Sequence, residues 1–249
     1  MFYTQKVKET FISRGLERIL PKEEFVQMPG TELEPLSYYV RKGKKVSALL
    51  NDFDQLFTQS PALNLTVSRK VSIPGSGNKS GFLSNRKAVD ILGNYLTAWG
   101  IEPDEIVKKL KLAGNMALSF PKLSGIGFSK NDLRNAYRAG KLETANPTAG
   151  ELLKSPPPDL WLVHSVVVSK GFSLHLQDPA SLDLKTVKTL IDKQKTGVSV
   201  QVQGGNMSVM GSQELAVAFS HILFGANAAT GELEIEPGKG EGRGKVGDG

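Results

Sequence analysis

From Leu63 to Ile73 the chain alternates with a period of two. Leu63, Leu65, Val67, Val71 and Ile73 fall on odd positions and Asn64, Thr66, Ser68, Lys70 and Ser72 on even ones, with only Arg69 out of place. Successive side chains of a strand point to opposite faces, so this segment is predicted to be an amphipathic strand. Met116, Leu118 and Phe120 alternate in the same way with Asn115, Ala117 and Ser119, and the apolar face resumes at Ile126 and Phe128. Phe172, Leu174 and Leu176 against Ser173, His175 and Gln177 predict a third such strand, and Val198, Val200 and Val202 against Ser199, Gln201 and Gln203 a fourth.

Other segments repeat at helical spacing. Val7, Phe11, Ile12, Leu16, Ile19 and Leu20 predict an N-terminal amphipathic helix over Gln5–Leu20 that stops at Pro21. Arg86–Trp99, Asp104–Leu112 and Leu184–Gln194 are also predicted helices, so the first two amphipathic strands flank helices and the last two flank another. Trp161–Val168 and Leu215–Phe224 are near-continuous apolar runs, expected of central strands buried on both faces. Leu33–Val40 is predicted to be a strand running into Arg41-Lys42-Gly43-Lys44-Lys45, where Gly43 marks a hairpin tip. From Pro237 the chain is glycine and charge with almost nothing to bury, which predicts a disordered tail over 237–249 behind one domain over 1–236. The fold class expected is α+β: a twisted, mainly antiparallel central sheet, an N-terminal amphipathic helix, and helices inserted between β-hairpin strands.

Charge changes this picture by pointing to a partner. The chain of 249 residues carries a formal charge of +6. Residues 1–141 hold 22 lysines and arginines against 13 acidic residues, a balance of +9, and the remainder hold 9 against 12, a balance of −3. Such a field suits nucleic acid or an anionic membrane surface. The basic runs at Arg41–Lys45 and Lys108–Lys111 lack the interleaved aromatics on which bases stack, so acidic phospholipid is the expected partner and nucleic acid is not. Lys6, Lys8, Arg14 and Arg18 on the first helix, with Arg41, Lys42, Lys44 and Lys45 at the turn, are the candidate lipid contacts.

Candidate chemistry is sparse. Cysteine is absent, which excludes disulfides, thiolate zinc sites and cysteine nucleophiles and fits a cytoplasmic location. The charges between Met1 and Leu20 do not fit a signal peptide. No apolar run reaches the roughly 18 residues of a spanning helix, so a membrane crossing would have to use strands. His164, His175 and His221 lie within strand patterns, no Gly-x-Ser-x-Gly elbow occurs, and the loop Gly75–Gly81 lacks the glycine spacing of a P-loop. No catalytic, cofactor-binding or metal-binding residue is expected, and the chain is not read as an enzyme.

The order of short motifs resembles the pore-forming domain of the gasdermin family. They are the initial Met-Phe, the basic helix through Lys8, Arg14 and Gly15, Leu20-Pro21, Glu34-Pro35-Leu36, the strand Tyr39-Val40 ending in Arg41–Lys45, Leu160–Val167, and Glu214–Phe224 with Ala218-Phe219. The chain is most similar to the gasdermin-like regulators of cell death in filamentous fungi. Mammalian members carry an autoinhibitory C-terminal domain and bacterial ones often a lipidated cysteine, features for which the glycine-rich tail and cysteine-free sequence leave no expectation here. The resemblance implies a cell-death effector that moves from cytoplasm to plasma membrane, oligomerises, as a homo-oligomer or with a variant allelic form, and inserts amphipathic hairpins as a large β-barrel. The inserting residues would be Leu63, Leu65, Val67 and Val71, Met116, Leu118 and Phe120, Phe172, Leu174 and Leu176, and Val198, Val200 and Val202. A strand spans a bilayer in about 9 to 11 residues, and only a closed barrel satisfies its backbone in lipid. The competing reading is a soluble protein that binds acidic lipid or another polyanion without inserting.

Overall fold

The computed structural model describes residues 24–25, 33–42, 45–46, 50–58, 81–83, 85–113, 116–120, 123–137, 140–154, 158–178, 180, 182–194, 196–226 and 233–235. In chain order these form β1 (Glu24–Phe25), β2 (Tyr38–Lys42), β3 (Lys45–Val46), β4 (Gly81–Leu83), α1 (Asn85–Ala98), α2 (Asp104–Leu110), β5 (Met116–Ser119), β6 (Leu123–Gly127), α3 (Lys130–Tyr137), α4 (Pro147–Leu152), β7 (Asp159–Leu176), α5 (Leu184–Asp192), β8 (Ser199–Gln203), β9 (Asn206–Ala226) and β10 (Leu233–Ile235). One antiparallel sheet runs β1-β9-β7-β2-β3. Beside that path β10 and β8 pair with β9, β5 and β6 with β7, and β4 with β5. Mixed helices and a mainly antiparallel sheet are the architecture the sequence predicts.

Two long strands organise everything else. Trp161–Val168 and Phe172–Leu176 are one strand of 18 residues, not two. Ser169-Lys170-Gly171 reads locally as a break, but the Ser169 hydroxyl donates to the Gly171 carbonyl at 2.7 Å and accepts from its N–H at 3.2 Å, so the backbone stays satisfied through the irregularity. β9 is longer still, at 21 residues, and its first part was not expected. Gln203 and Asn206 pair across Gly204-Gly205, where Gly204 takes φ +57, so a two-residue turn folds β9 back on β8. The consequence corrects a pairing. Phe172–Leu176 and Val200–Val202 are not partners, because the Asn206–Met210 part of β9 lies between them.

Three of the expected helices appear, each ending one or two residues early, and the fourth, Gln5–Leu20, lies outside the described residues. Two were missed: α3, whose buried apolar residues are only Leu133 and Tyr137, and α4, where the Asn146 carboxamide accepts from the N–H groups of Thr148 and Ala149 ahead of Pro147. The segment Leu33–Val40 is strand only from Tyr38, since Pro35 and Leu36 make a turn with Leu36 at φ 76.

A bulge at His164 sorts the core. Leu160, Leu162 and Val167 fall on one side of β7, and Val163, Val166 and Val168 on the other. The first side also takes Phe172, Leu174 and Leu176 and is covered by α1, α2 and α5. The second gathers Phe219, Ala216, Tyr39 and Leu33 around the same valines.

Candidate functional site

At the end of β2 the hairpin foreseen at Gly43 is present, with Lys42 opposite Lys45 and Arg41 opposite Val46. Arg41 is half exposed. Both its Nε and Nη2 donate to Asp159 Oδ2, at 3.1 and 2.8 Å, and its guanidinium lies 5.2 Å from the centre of the Trp161 ring. Trp161 in turn stacks on Tyr39 and meets His221 edge-on at 4.3 Å. An exposed ion pair of this kind contributes about 0–1 kcal/mol, so Arg41 could exchange its carboxylate for a phosphate at little cost. Lys44 and the four basic residues of the predicted N-terminal helix, Lys6, Lys8, Arg14 and Arg18, lie outside the described residues. So do Leu63, Leu65, Val67 and Val71.

The other three strand sets come together. Met116 opposes Leu176 and Leu118 opposes Leu174, while Phe172 and Val200 both oppose Val209 and Val202 opposes Met207. Their side chains make one apolar surface on the lower part of the sheet: Met116, Leu118, Phe120, Phe172, Leu174, Leu176 and Val200 are buried, and Val198 and Val202 pack against them half-buried. Phe120 and Val198 stand one residue outside their strands. Against this surface lie the helices. Tyr95 of α1 sits 6.1 Å from Phe172 and donates its hydroxyl to the Ala216 carbonyl at 3.2 Å, and Trp99 stacks on Phe172 at 5.8 Å.

The reverse face is mostly polar and partly open, with Ala117 buried on it. Ser173 and Ser208 hydroxyls meet at 2.8 Å, His175 Nδ1 lies 2.7 Å from Asn206 Oδ1, and Ser199, Gln201 and Gln203 are exposed.

Side-chain clasps hold the helices to the sheet and to each other. The Trp99 indole N–H donates to the Gln213 carbonyl and the Gln213 amide donates back to the Ala98 carbonyl, both at 3.3 Å. A Cβ on Gly211 would stand 2.2 Å from the same indole, so the ring lies directly on the backbone. Gln194 after α5 accepts from the Glu102 N–H at 2.7 Å and donates to its carbonyl at 3.2 Å. None of these contacts has a local sequence signature, since each joins residues about a hundred positions apart.

All three histidines are in β7 and β9, as expected. Burial pushes His221 down to about 4, with the positive charges of His164, Lys130 and Arg41 adding to the effect, and burial also lowers His164. Both are therefore neutral at pH 7. Among the described residues no group of three or more histidine or carboxylate side chains is placed to hold a metal ion, and no helix is long and apolar enough to cross a membrane, which says nothing of strands.

The family model described as Bacterial Gasdermin Family matches residues 26–232. The solved structure of a bacterial gasdermin from Bradyrhizobium tropiciagri is similar in fold, with a TM-score of 0.59 at 14% identity over 88% of this chain and 88% of that one. No curated protein matches the sequence.

Proposed function

The chain belongs to the bacterial gasdermin family, and on that premise we propose that it is a pore-forming cell-death effector. It docks on acidic phospholipid, oligomerises, and opens the lower part of its sheet into a transmembrane β-barrel. The observation that carries this reading is the two-sidedness of that region. Its apolar face is covered by α1, α2 and α5, while its polar face already meets water. Removing the helices would leave strands with one face for lipid and one for a lumen, the alternation a barrel requires.

Docking falls to Arg41, Lys42, Lys44 and Lys45 at the hairpin, with Lys6, Lys8, Arg14 and Arg18, each basic residue near the surface contributing about 1 kcal/mol. The domain is taken as 1–236 and the tail 237–249 as dispensable. The finer reading, allorecognition in a fungus through a hetero-oligomer with a variant allelic form, rests on the sequence resemblance alone.

Release of trapped dye from liposomes containing anionic lipid tests the function, with the chain assayed alone and mixed with an allelic variant. Replacing Arg41, Lys42, Lys44 and Lys45 by Glu is expected to abolish both flotation with the liposomes and dye release. Binding without release by the native chain would support the soluble lipid-binding alternative.

A further inference from the structure

The cation that opens the basic hairpin already has a carboxylate. Arg41 and Asp159 stand directly opposite each other on β2 and β7, with side chains 46% and 39% exposed. Both hydrogen bonds from the guanidinium fall on Asp159 Oδ2, which leaves Oδ1 without a partner among the described residues. The guanidinium also lies 5.2 Å from the centre of the half-buried Trp161 ring, and Tyr39 backs that ring at 6.3 Å. Continuing the β7–β9 register by one residue brings Gly225 beside Asp159, and Glu234 of β10 pairs with Gly225. One row of the sheet therefore places Arg41 with two acidic residues, next to the cross-strand pair Lys42 and Lys45.

A purely anionic headgroup meets a conflict at this row. While Arg41 stays on Asp159 its charge is neutralised, and it adds little to the attraction of an acidic surface. Once it turns to a lipid phosphate, Asp159 is left as an uncompensated carboxylate against a negative surface. A headgroup that brings an ammonium together with its phosphate removes the conflict, because its two charges exchange with the two charges of the pair. Hydrogen bonding narrows the choice further. Arg41 supplies Asp159 with N–H donors, and a primary ammonium replaces them with three of its own, whereas a quaternary ammonium has no N–H and a glycerol headgroup has no positive charge. The Trp161 face vacated by the guanidinium is a second seat for a cation.

We propose that Arg41, Asp159 and Trp161 form a headgroup site for membrane aminophospholipid, with the phosphate on Arg41 and the primary ammonium on Asp159 over the indole. Asp159 then sets lipid preference, and the hairpin lysines supply attraction that does not discriminate. The proposal deepens the docking step of the proposed function and rests on it.

The test is flotation, read without regard to dye release, on phosphatidylcholine liposomes carrying equal fractions of either phosphatidylserine or phosphatidylglycerol, lipids of the same net charge. The native chain is expected to bind the serine liposomes about three- to tenfold more tightly, the range of one cation–π contact with one exchanged surface ion pair. Replacing the phosphatidylcholine of the glycerol liposomes by phosphatidylethanolamine, which adds a primary ammonium but no net charge and no carboxylate, should also tighten binding. Asp159→Asn changes an exposed side chain of nearly the same shape. It should bind the glycerol liposomes more tightly than the native chain does, and its serine-to-glycerol ratio should fall to about one. Equal native binding to both liposomes, a ratio that survives in Asp159→Asn, or no gain from phosphatidylethanolamine would each overturn the headgroup site. A native chain that floats with neither liposome would overturn acidic-lipid docking itself.

Discussion

The two long strands are one object with two different halves. In the upper half, Leu160–Val168 of β7 against Leu215–Phe224 of β9, apolar side chains are buried on both faces, with Val163, Val217 and Phe219 fully enclosed. In the lower half, Phe172–Leu176 against Asn206–Met210, burial is one-sided, and residues such as His175 and Asn206 are in water. The halves meet where β9 gives four residues, Gly211–Glu214, opposite the single Lys170 of β7. The comparison is instructive because the same backbone ladder runs through both. A strand buried on both faces can lose neither cover without exposing core, whereas a strand with one wet face has only one cover to exchange. On the proposed function, helices give way to lipid below the junction and the upper half stays as the body of the protomer.

The largest effect should come from breaking the lower half's two-sidedness. Val200→Lys places a charge on the covered apolar face, and near mid-bilayer such a charge costs roughly 2 to 4 kcal/mol in every protomer of a ring. In material that still purifies folded, Val200→Lys is expected to bind acidic liposomes and release no dye, while Gln201→Lys on the exposed face releases it. Equal leakage from the two folded variants would mean that this face never meets lipid.

The upper half should respond through stability instead. Phe219→Ala empties a fully enclosed site, and truncations of this size cost about 3 to 5 kcal/mol. Thermal melts should show a large loss of stability, with hydrogen exchange accelerated across β7 and β9 alike. A variant that melts like the native chain would take Phe219 out of the permanent core.

How far this division could be read from the sequence depends on how local its causes are. The period of two in Phe172–Leu176 and Val198–Val202 and the near-continuous apolar runs at Trp161–Val168 and Leu215–Phe224 are the two halves, visible because burial on one face or two writes itself into the residue order. The hairpin at Arg41–Lys45 was legible because a turn is local chemistry. What was not legible is non-local. Nothing near Ser169 says that Gly171 continues the strand, since its missing side chain leaves room for Val209 and Met210, a Cβ there standing 2.3 Å from the Val209 carbonyl. Arg41 reads as one more surface cation, yet its carboxylate is Asp159, on a strand more than a hundred residues later.

The junction offers a milder and more selective perturbation. Gly211→Val would drive a side chain into the Trp99 ring, whose indole also bonds to Gln213, and overpacking typically costs 1 to 3 kcal/mol. The expected result is faster hydrogen exchange in α1 and a shift in tryptophan fluorescence, with exchange in Leu160–Val168 little changed. Uniform acceleration through both halves would show that the clasp supports the entire sheet and not the helical cover alone.

The last prediction concerns pH and belongs to the upper half. His221 titrates at about 4 in the folded protein and at about 6.5 when unfolded, chiefly because burial removes its solvation, with His164, Lys130 and Arg41 adding like charge. The unfolded chain therefore takes up the proton first as pH falls. Stability contributed by neutral His221 is complete above about 6.5, declines toward about 4 by at most about 1.4 kcal/mol per pH unit, and levels below. Burial biases His164 in the same direction, so the native chain should carry both contributions. Replacing His221 by Phe removes one of them while keeping an aromatic ring beside Trp161, and should flatten the dependence of melting temperature on pH between 6.5 and 4.5. Because the ring sits in the half buried on both faces, acidification should weaken the entire fold rather than loosen α1 and α5 selectively, a distinction that hydrogen exchange at pH 5 would resolve. An unchanged slope in His221→Phe would assign the acid sensitivity to other groups, and loosening confined to the helices would place the histidine's influence across the junction instead of within its own half.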